Sequence, residues 1–248
     1  MIKDYKFGNA KVGENTLIIN MGSATHCPSA ERGLCPIAGQ CYAARDERIY
    51  PTTLPYRDRQ EKYWLETSAE QIAYDIEEVY SGFERLQQKR HVKDVKDAKA
   101  SHRRRPRYKA IKRLLRWNES GDFHGEACVE KLFTVADLTP DVLHYLYTHR
   151  TDLVPLMVDH PKNVVIQISV DNPEDSAKYN AMGFNTFFTD TAISIRNRKV
   201  IDGLDAHTAA TKMLKAKYGA KALVCKWDCS ICSLCKVQHG KPIHIVIH

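Results

Sequence analysis

The stretch "NVVIQISVD" (residues 163–171) is a short, nearly continuous run of β-branched and apolar residues. Such a run is typical of a strand buried on both faces of a parallel sheet. Further strand and helix patterns flank it: "TLIIN" (16–20), "EACVEKLFTVADL" (126–138), "FNTFFTDTA" (184–192), "DAHTAATKMLKAKYGA" (205–220) and "KALVC" (221–225). Apolar residues also recur at helical spacing over residues 57–83, where Gly82 is a predicted helix stop. Strand and helix alternate, so the sequence predicts an α/β fold with parallel strands, arranged as a partial or full β/α (TIM-like) barrel.

The length of 248 residues and the hydrophobic content of 43% are sufficient for a sizeable core. We predict a single α/β domain over residues 1–248, interrupted by a basic insertion at about residues 86–113. No apolar run reaches the roughly 20 residues that span a bilayer, and residues 1–17 lack the apolar stretch of a signal peptide. We therefore expect a cytoplasmic protein without a membrane partner, and leave its oligomeric state open.

Seven of the eight cysteines fall into two groups, a Cys-rich N-terminal loop and a Cys-rich C-terminal tail. The members are Cys27, Cys35 and Cys41 in the loop, and Cys225, Cys229, Cys232 and Cys235 in the tail. In a reducing compartment such groups indicate metal ligation rather than disulfides. The spacings, Cys-x7-Cys-x5-Cys and Cys-x3-Cys-x2-Cys-x2-Cys, differ from the two separated pairs of a structural zinc site. We predict one or two [4Fe-4S] iron–sulfur clusters, with zinc as the alternative.

Two divisions of these ligands fit the spacing. In one, the first three cysteines hold a cluster with one open iron, and the last four close a second cluster. In the other, Cys225 completes the first site, and the remaining three tail cysteines form the open one. The difference matters because only a centre with a vacant position can bind a substrate or cofactor.

Polar residues follow two predicted strands, where parallel sheets place their functional groups. In "NESGDF" (118–123), Glu119 and Asp122 are candidate catalytic residues, and Ser120 and Gly121 are candidate cofactor contacts. The alternative is that Ser120 and Asp122 cap the helix that starts near Glu126. In "SVD", Ser169 is a candidate cofactor contact and Asp171 a candidate catalytic residue, although the following Asn-Pro is also a good helix start.

Positive charge is concentrated in one segment. Residues 89–116 carry thirteen Lys or Arg and two Asp, a net of +11 in a chain whose total is +7, so the rest is net negative. A local excess of one sign favours nucleic acid as a partner, with a solvated helix face as the alternative. The candidate phosphate-binding residues are Arg103, Arg104, Arg105, Arg107, Lys109, Lys112 and Arg113.

Several motifs carry a family resemblance: "HCPSAERGLCPIAGQCYAARD", "NESGDF", "LTPDVLHYLYTHR", "IQISVDNPED" and the Cys-rich tail. They resemble the uncharacterised gene product 88 family of bacteriophage proteins, which would place the chain in the cytoplasm of an infected host. The layout in turn is similar to radical S-adenosylmethionine enzymes, with a three-Cys loop after the first strand and "SVD" after a later one. The Cys-x3-Cys-x2-Cys spacing usual in that class occurs here only in the tail.

These observations lead to two expectations of different kinds. The first is an iron–sulfur enzyme, radical-S-adenosylmethionine-like through the resemblance, that modifies a base in nucleic acid or a nucleotide. The second is a nucleic-acid-binding protein without enzymatic activity, in which an iron–sulfur cluster or zinc only braces loops.

Overall fold

An eight-stranded sheet forms the centre of the molecule in the computed structural model, which describes residues 6–8, 12–13, 15–195 and 199–247. The sheet strands are β1 (Lys6–Phe7), β2 (Thr16–Ile19), β3 (Leu114–Trp117), β4 (Leu143–Thr148), β5 (Val164–Val170), β6 (Asn185–Ser194), β9 (Leu223–Val224) and β10 (Pro242–Ile247). Their order is β1-β2-β3-β4-β5-β6-β10-β9. Only β1 runs antiparallel to its neighbour, so seven strands are parallel.

The predicted α/β class with a parallel sheet is therefore confirmed. A closed barrel is not formed by the described residues, because β1 pairs only with β2 and β9 only with β10. A separate short hairpin is made by β7 (Val200–Ile201) and β8 (Leu204–Asp205). Among the described residues, no helix is both long and apolar enough to cross a membrane.

In the described part of the chain, five helices pack on one face of the sheet, and the two N-terminal helices lie beside the cysteine loop at the carboxyl ends of the strands. They are α1 (Pro28–Glu31), α2 (Tyr42–Ile49), α3 (Thr53–Glu66), α4 (Ala69–Ala100), α5 (Glu126–Leu138), α6 (Pro173–Ala181) and α7 (Ala206–Tyr218), with 3₁₀ turns at Ala38–Gln40, Thr151–Met157 and Leu234–Lys236. Alternate strand residues such as Leu115, Trp117 and Leu146 form one core with buried residues of α3, α4 and α5. Burial of this continuous apolar surface is what holds the helices to the sheet.

The opposite face of the sheet, called the inner face here, carries polar and aromatic side chains. Residues 225–240 cross it as an irregular tail that links β9 to β10. Gln167 Nε2 on β5 donates to the carbonyl of Cys235 at 3.3 Å, and Asn185 Nδ2 on β6 donates to the carbonyl of Val237 at 2.8 Å. These bonds satisfy buried polar groups and fix the tail to the sheet.

Two local predictions were wrong and one was incomplete. The helical pattern over residues 57–83 divides into α3 and α4, because Ser68 caps a new helix by accepting from the amide of Gln71 at 3.2 Å. Gly82 does not end α4, which continues to Ala100. "KALVC" forms only two residues of strand, and β10, which had not been assigned, separates it from β6.

The basic insertion consists of the outer part of α4 and an irregular return segment that leads into β3. We call residues 86–113 the basic arm. Most of its side chains between Ser101 and Lys112 are exposed to solvent. A solvated helix with few buried residues is what its composition predicts.

Candidate metal centre and cavity

Both cysteine groups lie beside one cavity at the carboxyl ends of the parallel strands. The loop after β2 supplies Cys27, Cys35 and Cys41, and the segment after β9 supplies Cys225 and Cys229. The cavity has a volume of about 200 Å³. All eight cysteines, which are among the described residues, are free thiols. The edge of the sheet where the sequence predicts functional groups is therefore the place where the sulfurs meet.

The N-terminal loop is shaped by short helices. Cys27 immediately precedes α1, whose first residue is Pro28, and Cys41 immediately precedes α2. Burial raises the pKa of Cys27 to about 11 and that of Cys35 to about 12, and neighbouring thiols of the loop contribute to both rises. Thiols this buried are protonated at neutral pH in the absence of metal, and only a bound cation would favour their thiolates.

A buried carboxylate holds the start of this loop. Glu47 Oε1 accepts from the amide of Ala24 at 2.7 Å, and its Oε2 accepts from the amide and hydroxyl of Thr25 at 3.0 and 2.8 Å. Arg57 pairs with Glu47 at 2.7 Å. Burial alone would raise the pKa of Glu47, but the Ala24 amide and the Arg57 guanidinium bring it below its usual value. No motif in the sequence indicates that Glu47 and Arg57 belong to the site.

The C-terminal tail forms a second, smaller cavity of about 20 Å³. All four tail cysteines line it, together with Tyr145 and Tyr147 of β4. Lys236 Nζ donates to the carbonyl of Cys229 at 2.6 Å, which closes the tail on itself. Burial raises the pKa of Cys235 to about 12, and after it the thiols of Cys225, Cys229 and Cys232 add to the rise.

The thiols thus fall into a group of three and a group of four. Cys35 interacts electrostatically with Cys27 and Cys41, whereas Cys235 interacts with the other three tail thiols. Cys225 and Cys229 line both cavities and so stand between the groups. This grouping resembles the first of the two divisions considered above.

Sulfur spacing bears on the kind of metal. Among the described residues, His26, Asp58 and Glu61 are a group of three potential ligand atoms that all lie within 4.8 Å of one another, and no three cysteine sulfurs lie that close together. A zinc–sulfur bond of about 2.3 Å places tetrahedral sulfurs only about 3.8 Å apart. The His26 group is partly exposed, and exposed acidic groups often lie together without an ion.

Asp122, a predicted catalytic residue, is buried and fully engaged by the protein. Its two oxygens accept from Ser29 Oγ and Thr148 Oγ1, both at 2.7 Å, and from the amides of Phe123 and His149, both at 2.9 Å. It therefore ties the first cysteine loop to β3 and β4. The capping alternative was wrong for Ser120 and Asp122, because the residue at the start of α5 is Gly125 and no side chain caps it.

Glu119, Ser120 and Gly121 line the cavity beside the cysteines. The Ser120 amide donates to Asn20 Oδ1 at 2.9 Å, so its backbone is fixed to the end of β2. Gly121 has φ +73°, and a Cβ there would lie 2.6 Å from the carbonyl atoms of Gly22. This close approach requires glycine, because any side chain would meet backbone.

Ser169 and Asp171 lie at the carboxyl end of β5, but they do not belong to the lining of the described cavity. Asp171 interacts with His149, which does line it. Asn172 caps α6 by accepting from the amide of Asp175 at 2.8 Å, and Pro173 is the first helical residue. The helix-start alternative is therefore confirmed for Asn172 and Pro173.

The predicted nucleic-acid contacts divide into two groups. Arg103, Arg104, Arg105, Arg107, Lys109 and Lys112 are exposed. Arg113 instead pairs with Glu77 and Glu84, both at 2.8 Å, so its charge is balanced within the chain. Tyr108 is 42% exposed and contacts His91 with ring centroids 5.3 Å apart.

Three inner-face residues of the cavity were not foreseen: Arg116, Tyr147 and Phe187. They alternate with helix-facing residues on β3, β4 and β6. Because successive side chains of a strand point to opposite faces of the sheet, these three residues are assigned to the inner face once the strands are known. No motif in the sequence marks them as functional.

Comparison with known proteins gives one family match. A family model described as Gene product 88 matches residues 5–238. No curated protein and no solved structure matches the chain.

Proposed function

The chain belongs to the Gene product 88 family, and from that premise we propose that it is an iron–sulfur enzyme that acts on nucleic acid or a nucleotide. The observation that carries the proposal is the cavity between the two cysteine groups. Cys27, Cys35 and Cys41 offer three sulfurs at its wall, so a metal centre held there would keep a ligand position directed to a space for a small molecule.

The donor set supports iron–sulfur clusters over zinc. Cysteine sulfur suits both metals, but one tetrahedral ion needs sulfurs about 3.8 Å apart, and no three described cysteine sulfurs all lie within 4.8 Å of one another. In a four-iron cluster each sulfur binds a different iron, which needs a wider arrangement. We assign one cluster to the loop cysteines and a closed one to Cys225, Cys229, Cys232 and Cys235.

A cluster bound at the loop would supply an electron or a Lewis-acidic iron. The chain's own residues provide the rest of the site. Glu119 is a carboxylate of the cavity wall and can orient an ammonium group or accept a proton there. Asp122 and Glu47 act indirectly, because their bonds hold the loop that carries the thiols. S-adenosylmethionine is the cofactor we propose for this space.

The basic arm supports the proposal that the substrate is a nucleic acid or is part of one. Its exposed arginines are close in sequence and have no carboxylate partner among the described residues. Phosphates supply the counter-charge that such a segment attracts, and the exposed ring of Tyr108 can stack on a base.

A second candidate function is a nucleic-acid-binding protein whose metal is only structural. The tail favours it, since its four cysteines close a small cavity and hold a segment with little regular structure across the inner face. A metal there would brace the fold without taking part in a reaction.

The test begins with protein purified without oxygen. Two [4Fe-4S] clusters would give about eight irons per chain and a brown colour. Changing Cys27, Cys35 and Cys41 to Ala should remove about half of the iron. The matched control is Cys128→Ala, because Cys128 lies in α5 away from both groups and accepts from Trp64 Nε1 at 3.4 Å.

Activity then separates the two candidates. The reduced wild-type protein should cleave S-adenosylmethionine to methionine and 5′-deoxyadenosine, and the triple Cys variant should not. Two zinc ions per chain, with no cleavage and intact nucleic-acid binding, would reject the enzyme and support the binding protein.

A further inference from the structure

Arg116 is a buried cation that forms no ion pair with any residue that the structure describes. It lies on β3 with 8% of its surface exposed, and its Nε has no hydrogen-bond partner. Among the described residues, no carboxylate lies within 4.0 Å of its guanidinium group. A buried charge is costly unless another charge or strong hydrogen bonds balance it.

Among the described arginines of low exposure, Arg116 is the exception. Arg57 pairs with Glu47 at 2.7 Å, and Arg150 pairs with Asp152 at 2.8 Å. Arg113 is held by two glutamates. Each of these three arginines thus has a carboxylate partner, whereas Arg116 has none within 4.0 Å in the part of the chain that the structure describes.

Aromatic side chains position Arg116 without neutralising it. Its Cζ lies 5.2 Å from the ring centroid of Tyr147, within the range of a cation–π contact. Tyr42 and Tyr145 are also close enough to interact electrostatically with Arg116, and the Glu119 carboxylate interacts with it from beyond ion-pair distance. The contact orients the guanidinium group at the cavity wall and leaves its positive charge in place.

The cavity itself indicates the rest of the ligand. Phe187 and Ile245 belong to its wall near the end of the sheet, and Ile37 comes from the cysteine loop. A ligand that fits has an apolar or aromatic body and one anionic group. Arginine offers a planar fork of donors that matches both carboxylate and phosphate.

We infer that Arg116 binds the carboxylate or phosphate of a small molecule that occupies the cavity. The inference rests on the proposed function, since it names the group by which the same cavity holds its cofactor or substrate. The inference is tested by equilibrium binding. The test can therefore be made even if the protein binds zinc or does not cleave S-adenosylmethionine.

The experiment uses the full-length, metal-loaded protein in anaerobic titration calorimetry with two matched pairs of probes. Adenosine monophosphate and adenosine differ in the phosphate. S-adenosylmethionine and decarboxylated S-adenosylmethionine differ only in the carboxylate, since both keep the sulfonium and the ammonium group. In at least one pair we expect the member with the phosphate or carboxylate to bind about tenfold tighter or more. The pair that shows the difference identifies whether the anionic group is a phosphate or a carboxylate.

Variants then assign the preference to the side chain. Arg116→Gln should abolish the preference for the probe with the anionic group while leaving the affinity for the probe without that group unchanged. Arg116→Lys should retain part of the preference. If Arg116→Gln fails to fold, the wild-type comparison still decides, because equal affinities within both pairs would overturn the inference. A preference that persists in a folded Arg116→Gln would overturn it as well.

A different role for the charge gives a different result. If Arg116 only balances the negative charge of the cysteine-held metal, Arg116→Gln would shift the reduction potential or lower the metal content with no change in probe selectivity. That outcome would also reject the inference.

Discussion

Gly121 brings two loops into backbone contact. Because its φ is +73° and a Cβ would lie 2.6 Å from the carbonyl atoms of Gly22, an alanine must push the backbones apart. We expect Gly121→Ala to lower the free energy of unfolding by about 3 kcal/mol or more, the sum of left-handed backbone strain and a backbone clash. Anaerobic chemical denaturation would measure the loss.

Gly33 is the matched control for this change. It also has a positive φ, +69°, but nothing lies within 4 Å of the position of a Cβ. Gly33→Ala should therefore cost only about 1–2 kcal/mol, from backbone conformation alone. Equal losses in the two variants would show that the close approach at Gly121 contributes nothing.

Some site residues can be predicted from the sequence, and others cannot. Cysteines are visible because few residue types bind soft metals and clustering is rare by chance. Glu119 and Asp122 are visible as acidic residues after a strand, but their roles differ through contacts that no spacing reveals. Glu47 lies within an ordinary helix, and only the folded chain brings it to Ala24. Arg116 reads as one more charge of a basic segment, although it is buried.

At the level of elements, the proposed role of the basic arm can be tested separately from the metal site. Changing Arg103, Arg104, Arg105 and Arg107 to Ala should weaken binding to nucleic acid and reduce its dependence on salt, by up to about 0.9 in the log–log slope for each lost duplex contact. All four side chains are exposed and lie outside the core, so the fold should not change. Filter binding or anisotropy at several salt concentrations would measure both effects.

A charge-matched control separates local from overall charge. Lys162, Lys212, Lys215 and Lys221 are exposed and lie elsewhere on the fold. Their replacement by Ala removes the same charge and should leave most of the affinity intact. If both quadruple variants lose affinity equally, the arm has no special role in binding.

Element types were easier to foresee than their connections. Long periodic runs such as α5 and β5 follow directly from local pattern. The division between α3 and α4 depended on a single capping serine, and the signature Ser68-x-x-Gln71 was available but weaker than the apolar period around it. The position of β10 between β6 and β9 has no local signal, since it depends on which sheet edge a later strand reaches.

At the scale of the whole molecule, the inner face is covered by a segment that has little regular structure. Hydrogen bonds to the side chains of Gln167 on β5 and Asn185 on β6 hold it, and β9 pairs over only two residues. We therefore expect metal at the tail cysteines to account for most of its order. After metal removal by a chelator, trypsin should cut at Lys226 or Lys236 about tenfold faster or more.

The basic arm provides the internal control for this digestion. Its exposed arginines should be cut at similar rates with and without metal, because no cysteine lies in it. Peptide mapping by mass spectrometry distinguishes the two regions. A tail that is cut equally fast in both states would mean that the sheet alone orders it.

The convergence of the two cysteine groups also has a kinetic consequence. Gly13, before β2, lies against Ser230 in the tail, so contacts at the inner face join segments that are distant in sequence. Parallel sheets with such long-range pairings fold slowly, on a scale of roughly milliseconds to seconds. During that interval the seven thiols are unprotected and can cross-link wrongly when an oxidant is present. For the proposed iron–sulfur protein, the timing of oxygen exposure relative to chain folding should therefore limit how much correctly assembled protein a cell produces.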